Sequence, residues 1–319
     1  MIKLLPGPDA DLDALRPFAA VKLIVADLDG TLFPSELHET AQRLLRQLRL
    51  LQVRLTVATG RTFKGVQTLI ERLQGTRGNL LVKSDTPLIL YNGSVLVEVG
   101  SGHLLKRTEV NLGVLNMILD ISARYPCEVY AYFCDEDLFL QNDVNGIQER
   151  VLGWQFGQQD LPRAAHEFNG LPVEWKGLQS TIDDHKPCAI VLKSPNFDAL
   201  RAIADELIHT GNVSVTRSGS TYLEVRPLGS DKGIALEWVA RRLGLSSNQV
   251  LAIGDNDNDV EMLKWAGIGV VVNTASPSAR ECADFLCDFG PFQGVVQVLR
   301  LVHEAHKYCR TQSTRSTIE

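Results

Sequence analysis

The stretch Leu23-Ile24-Val25-Ala26-Asp27-Leu28-Asp29-Gly30-Thr31 passes from four apolar residues to two carboxylates and a glycine. Four apolar residues without polar alternation predict a strand buried on both faces, as in a parallel sheet covered by helices. Past its end, alternation along an extended chain aims Asp27 and Asp29 to one side, and Gly30 lets the chain turn away. A polar strand exit has the same composition when met alone. Similar apolar runs recur at 55–58, 88–91, 251–253 and 268–272. Between them, 39–51, 63–73, 233–243 and 260–266 carry apolar residues at three- and four-residue spacing, as helices covering a sheet do. This alternation predicts an α/β fold with a doubly wound, mostly parallel sheet.

The middle of the chain follows another pattern. Residues 109–217 hold two helical stretches (112–124 and 197–210), short strands (129–133, 138–141, 189–193, 213–216) and an irregular segment at 156–186 rich in Gly, Pro and Gln. Such a run, set between two halves of an α/β sheet, predicts an inserted α+β domain. The division is then an N-terminal extension (1–20), a first core segment (21–108), the inserted domain (109–217) and a second core segment (218–302). A helix end and a polar tail that frays after residue 310 complete the chain (303–319).

Composition narrows the function. Of 319 residues 45% are hydrophobic and 22% charged, which excludes a disordered or fibrous chain. A net charge of −6 does not point to nucleic acid or an anionic membrane as partner, with local basic patches left open, and no apolar run approaches the ~20 residues of a membrane span. The N-terminus, with Asp9, Asp11, Asp13, Pro6, Pro8 and Pro17, does not read as a secretory signal, so a cytoplasmic protein is expected. Six cysteines without a C-x-x-C pattern read as free thiols, with pairing of Cys127 and Cys134 reserved for an oxidising compartment.

Three further sites stand where an apolar run ends, the edge at which open parallel sheets bind ligands. Thr59-Gly60-Arg61 offers a hydroxyl and backbone N–H groups at a helix start, suited to a phosphate oxygen or to an ordinary N-cap. Lys232-Gly233 sets a cation at another helix start, where the helix dipole also attracts an anion. Gly254-Asp255-Asn256-Asp257-Asn258-Asp259 places three carboxylates in five residues, whose repulsion a divalent cation relieves. A calcium loop would need glycine and glutamate where Val260 and Ala266 stand, so Mg²⁺ shared with a substrate phosphate is the expectation. Metal, lysine, hydroxyl and carboxylates on one edge suit phosphoryl transfer.

With these motifs assembled, the sequence resembles the haloacid dehalogenase-like (HAD) hydrolase superfamily, and within it the Cof-type phosphatases with a large inserted cap. The motifs that carry the resemblance are D-x-D-G-T at 27–31, T-G-R at 59–61, Asn92-Gly93, the S-D-K-G around Lys232, and G-D-x-x-N-D-x-x-M at 254–262. It implies a Rossmann-like core, Mg²⁺ as cofactor and a phosphate monoester as substrate. By the same resemblance Asp27 is the nucleophile and Asp29 the general acid and base, with Asp29 kept protonated at neutral pH while Asp27 stays ionised. Asp27, the Asp29 carbonyl and Asp255 hold the metal, with Asp259 at or behind it. Thr59, Gly60, Lys232 and Asn258 hold the phosphoryl group. Residues 271–275 depart from the family pattern A-M-G-N-A, which affects loop packing rather than chemistry.

In that family the cap selects the leaving group. Residues 109–217 carry 16 Asp+Glu and 8 Lys+Arg, net −8, while the rest of the chain is +2. An acidic lid over a mildly basic core fits a small ester, sugar phosphates first, acted on by a monomer or homodimer. Trp154, Phe156, Phe168, Trp175 and His185 are read as core before pocket, and His303 and His306 as a surface pair before a metal site. A phosphosugar mutase and a non-catalytic binding protein are the alternatives. The second is disfavoured because Asp27, Asp29, Lys232 and Asp255 are all retained.

Overall fold

Alternate residues of the strand Leu23–Ala26 belong to different cores, which is why all four are apolar. The computed structural model describes residues 2–7, 10–32, 39–67, 85–99, 102–136, 147–157, 167–168, 170–177, 185–218 and 220–315. Its strands, in chain order, are β1 (Lys3–Leu4), β2 (Leu23–Ala26), β3 (Arg54–Val57), β4 (Pro87–Leu90), β5 (Val95–Glu98), β6 (Leu104–Arg107), β7 (Cys127–Glu136), β8 (Ile147–Phe156), β9 (Glu167–Phe168), β10 (Leu171–Trp175), β11 (Ala189–Lys193), β12 (Val213–Ser218), β13 (Tyr222–Pro227), β14 (Val250–Gly254), β15 (Ile268–Val271) and β16 (Phe285–Leu286).

The core sheet runs β1-β16-β15-β14-β2-β3, every pair parallel. Ile24, Ala26, Leu55 and Val57 pack against Leu15, Phe18, Leu44, Leu48 and Val302, from the helices Leu12–Ala19, Glu39–Leu50 and Gln293–Arg315. Leu23, Val25 and Ala252 face Leu236, Val239, Met262 and Ala279, from Lys232–Arg242, Val260–Trp265 and Pro277–Cys282. Burying a Leu, Ile or Val side chain is worth about 1.5–3 kcal/mol, so a sheet covered on both faces contributes substantially to stability.

Several expectations change. The N-terminal extension is part of the core: β1 adds an edge strand, and Leu15 and Phe18 are buried beneath the last helix. The run at 88–91 is not a parallel core strand. Tyr91, Asn92 and Gly93 adopt φ of 49°, 52° and 103°, which reverses the chain so that β4 pairs antiparallel with β5. One parallel bridge, Ala58 to Ile89, ties it to the core. The last helix continues to Arg315, past the expected fraying point. His303 and His306 are buried rather than a surface pair, and His306 Nε2 donates to the Val21 carbonyl at 2.9 Å.

The inserted domain is a seven-stranded sheet, β12-β13-β11-β7-β8-β10-β9. Helices Leu112–Ser122 and Phe197–Thr210 cover one face, burying Trp154 and Phe156 with Val129, Phe133 and Leu223. The sheet includes β13, so it extends beyond the boundary expected at 217. Strands β8 and β10 have no counterpart in the sequence reading, and the strand expected at 138–141 lies outside the described residues. Cys127 and Cys134 share strand β7, and all six cysteines are free.

Candidate active site

Register aligns the ends of three strands: Ala26 of β2 lies beside Ile253 of β14 and Val57 of β3. The residues that follow, Asp27, Asp255 and Thr59, therefore emerge on one edge of the sheet. From β2 the sheet continues to β3 on one side and to β14, β15 and β16 on the other, the reversal at which open α/β sheets bind ligands.

At this edge the fully buried Lys232 donates to Asp27 Oδ1 at 2.5 Å and to Asp259 Oδ1 at 2.7 Å. Lys232 opens its helix, capped by Asp231, whose Oδ1 accepts from Ile234 N at 2.7 Å. The other oxygen of Asp259 accepts from the backbone N–H groups of Asp255 (2.9 Å) and Asn256 (3.0 Å). Asp259 thus anchors the loop from behind. Asp255 Oδ1 accepts from Thr31 Oγ1 at 2.9 Å. Gly30 has φ +92°, and a Cβ there would stand 2.3 Å from Asp255 Oδ2, so the D-x-D-G turn and the second acidic loop fit together only around a glycine.

The carboxylates of Asp27, Asp255 and Asp259 lie within 4.8 Å of one another with one ammonium among them, a formal excess of two negative charges. Burial pushes the Asp27 carboxyl up to about 8; Lys232 opposes this, while Asp259 and Asp255 add to it. Burial raises Asp255 to about 6. Lys232 is held above the ordinary lysine range because its two carboxylate partners outweigh its own desolvation. A set of oxygen donors short of two positive charges fits a divalent cation of the Mg²⁺ class.

Asp29 stands apart. Its half-exposed carboxylate receives Arg61 Nη2 at 2.6 Å and Nε at 2.8 Å, a two-point ion pair, and is not in the three-carboxylate group. Thr59 is buried, its hydroxyl accepting from Arg61 N at 3.1 Å. Gly60 makes room for Asn92, whose Nδ2 a Cβ would approach to 2.9 Å. Asn258 Nδ2 donates to Asn92 Oδ1 at 3.1 Å, and Asn92 Nδ2 in turn donates to Glu224 of β13. Asp257 is exposed and faces Ser276 and Ser278 instead.

Asp27, Asp29, Gly60 and Asn258 line one side of a cavity of about 660 Å³; Tyr132, Phe168, Tyr222 and Glu224 of the inserted domain line the other. A second contact closes the two parts together. Glu149 of β8 accepts from the core backbone at Phe63 N (2.6 Å) and Lys64 N (2.8 Å), and from Tyr91 Oη at 2.5 Å. The roles of Arg61, Asn92, Glu149 and Glu224 were not read from the sequence. Arg61 and Asn92 sit inside quoted motifs, whereas nothing local marks the two glutamates.

A model of the haloacid dehalogenase-like hydrolase family matches residues 24–299. The chain is 25% identical over 283 residues to the 5-amino-6-(5-phospho-D-ribitylamino)uracil phosphatase YcsE of Bacillus subtilis, covering 88% of this chain and 95% of that one. It is 28% identical over 262 residues to the HMP-PP phosphatase of Enterobacter sp. (strain 638), covering 80% and 85%. In fold it is similar to a haloacid dehalogenase-like hydrolase from B. subtilis, with a TM-score of 0.68 and 20% identity over 88% of this chain and 99% of that one. A putative HAD/COF-like hydrolase from Plasmodium vivax gives a TM-score of 0.68 at 15% identity, over 93% and 100%. Sheet, cap and acidic edge find their place together: the chain belongs to the haloacid dehalogenase-like hydrolases, as a Cof-type enzyme of the phosphatase class.

Proposed function

We propose that this enzyme is a Mg²⁺-dependent phosphatase that hydrolyses a small phosphate monoester through an aspartyl-phosphate on Asp27, with sugar phosphates the class the family resemblance puts first. The observation that carries the reading is the charge imbalance at the sheet edge: three carboxylates around one buried lysine, opening onto a cavity large enough for an ester. Asp27, Asp255 and the backbone carbonyl of Asp29 would hold the cation, with Asp259 behind. The cation, when bound, neutralises phosphoryl oxygens and keeps Asp27 ionised.

In this mechanism Lys232 orients the Asp27 carboxylate, which attacks phosphorus in line as the ester P–O bond breaks. Asp29 gives its proton to the departing alkoxide and then takes one from the water that attacks the aspartyl-phosphate, releasing phosphate and restoring Asp27. Thr59, Gly60, Lys232 and Asn258 hold the phosphoryl group at this edge. For Asp29 to do this it must leave Arg61. An incoming phosphoryl dianion competes for that guanidinium and so frees the acid where it is needed. The test is phosphate release from a panel of esters with Mg²⁺, with Asp27→Asn as the blank. Equal rates for parent and variant would remove Asp27 from the mechanism.

A further inference from the structure

The cavity wall supplied by the inserted domain is chemically unlike the wall supplied by the core. Phe168 stacks one face of its ring on Tyr130, with centroids 4.2 Å apart and planes within 5°, and tilts toward Tyr132 at 6.1 Å and Tyr222 at 6.2 Å. It is only partly buried and lines the cavity, so a preorganised aromatic surface faces the space where a leaving group would lie. Among the described residues, the charged side chains of that wall are Glu224 and Arg226. Arg226 is engaged with the protein: Nη1 donates to the carbonyls of Asn92 (3.2 Å) and Ser230 (3.3 Å), and Nη2 to Thr216 Oγ1 at 2.7 Å. Glu224, two residues away on the same strand, accepts from Asn92 Nδ2 and lies in the field of Arg226, so these two residues give the wall one charge of each sign.

We infer that the leaving group of the substrate contains a flat, unsaturated ring that lies against Phe168 between Tyr132 and Tyr222. The inference rests on the phosphatase reading and departs from its sugar-phosphate preference. A saturated polyol gains less from a stacked aromatic face than a planar ring does, since ring planes interact through their quadrupoles as well as through area. The volume of about 660 Å³ is in the range of sites that enclose ring-bearing ligands.

The experiment compares kcat/KM for benzyl phosphate, cyclohexylmethyl phosphate and glucose 6-phosphate. Acetyl phosphate is the control, as its leaving group is too small to reach Phe168. Benzyl is expected to exceed cyclohexylmethyl phosphate by about three- to tenfold, and Phe168→Leu to collapse that ratio while acetyl phosphate is still hydrolysed. Should Phe168→Leu lose acetyl phosphate turnover through misfolding, Tyr222→Leu is read in its place. A wild-type ratio near one, a preference for either saturated ring, or a ratio unmoved by the variants overturns the ring inference alone. No hydrolysis of any of the esters or of acetyl phosphate, an acyl phosphate, overturns the phosphatase reading and this inference with it.

Discussion

On one side of the cavity the edge of the core sheet crowds Asp27, Asp255 and Asp259 around Lys232; on the other, the inserted domain presents Tyr132, Phe168 and Tyr222 with Glu224. The first wall is short of positive charge, which the proposed cation would supply. The second is largely complete in itself, its rings already stacked. Chemistry common to many esters belongs on the first wall, and choice among esters on the second, because only charge stabilises a transferring phosphoryl group whereas shape distinguishes what it leaves behind.

Substitutions on the two walls should therefore fail differently. Asp27→Asn is expected to lower kcat at least about a thousandfold while folding is kept, since one of three crowded carboxylates is gone; steady-state rates and a thermal melt check both. Lys232→Met should do the reverse to stability. It leaves buried Asp259 without its cation, at a cost of about 3–5 kcal/mol in urea unfolding, and a loss under 1 kcal/mol would deny that this edge is held by charge balance.

The pH dependence follows from the raised carboxyls. A carboxyl whose pKa is higher in the folded state favours folding below its unfolded value near 4, and that contribution is lost as pH rises through the folded value. For Asp255 the loss ends near 6 and for Asp27 near 8. On the proposed function Mg²⁺ is held by the ionised carboxylates, so its stabilising effect is expected to grow from pH 5 to pH 8, by about 1–3 kcal/mol at saturating cation. Melting curves with and without MgCl₂ at both pH values test this, and a larger effect at pH 5 would break the argument.

Glu149→Gln probes the seam between the walls. It weakens the hydrogen bonds at Phe63, Lys64 and Tyr91, and about 1–2 kcal/mol of attachment should be lost, with KM rising more than kcat falls. The smallest expected effect is that of Arg61→Lys. The charge stays and the two-point grip on Asp29 goes, so kcat should change only about two- to fivefold; an unchanged rate would leave Arg61 without influence on the acid.

Much of the core was legible because its signals are local. Leu23–Ala26 is apolar on both faces, Asp27 and Gly30 follow at the turn, and Lys232 opens a helix, so strand ends and helix starts could be located one segment at a time. The inserted domain was less legible. Strands β8, β10 and β13 hold mixed polar and apolar residues; in β13, Leu223 meets the helices while Tyr222, Glu224 and Arg226 line the cavity. The run at 88–91 misled because its composition matches a buried strand, whereas the positive φ angles at 91–93 send it into a hairpin.

By itself, the sequence determined the α/β class, the acidic and basic residues of the edge and their order, since apolar runs, turn residues and motif spacing are properties of neighbours in the chain. Only the tertiary structure decided that Arg61 grips Asp29, that Asp259 stands behind Asp255 holding the loop, that Glu149 crosses to the core and that Phe168 faces the cavity. Those pairings depend on strand register and side-chain direction over separations from a few residues to more than eighty, and composition carries no record of either.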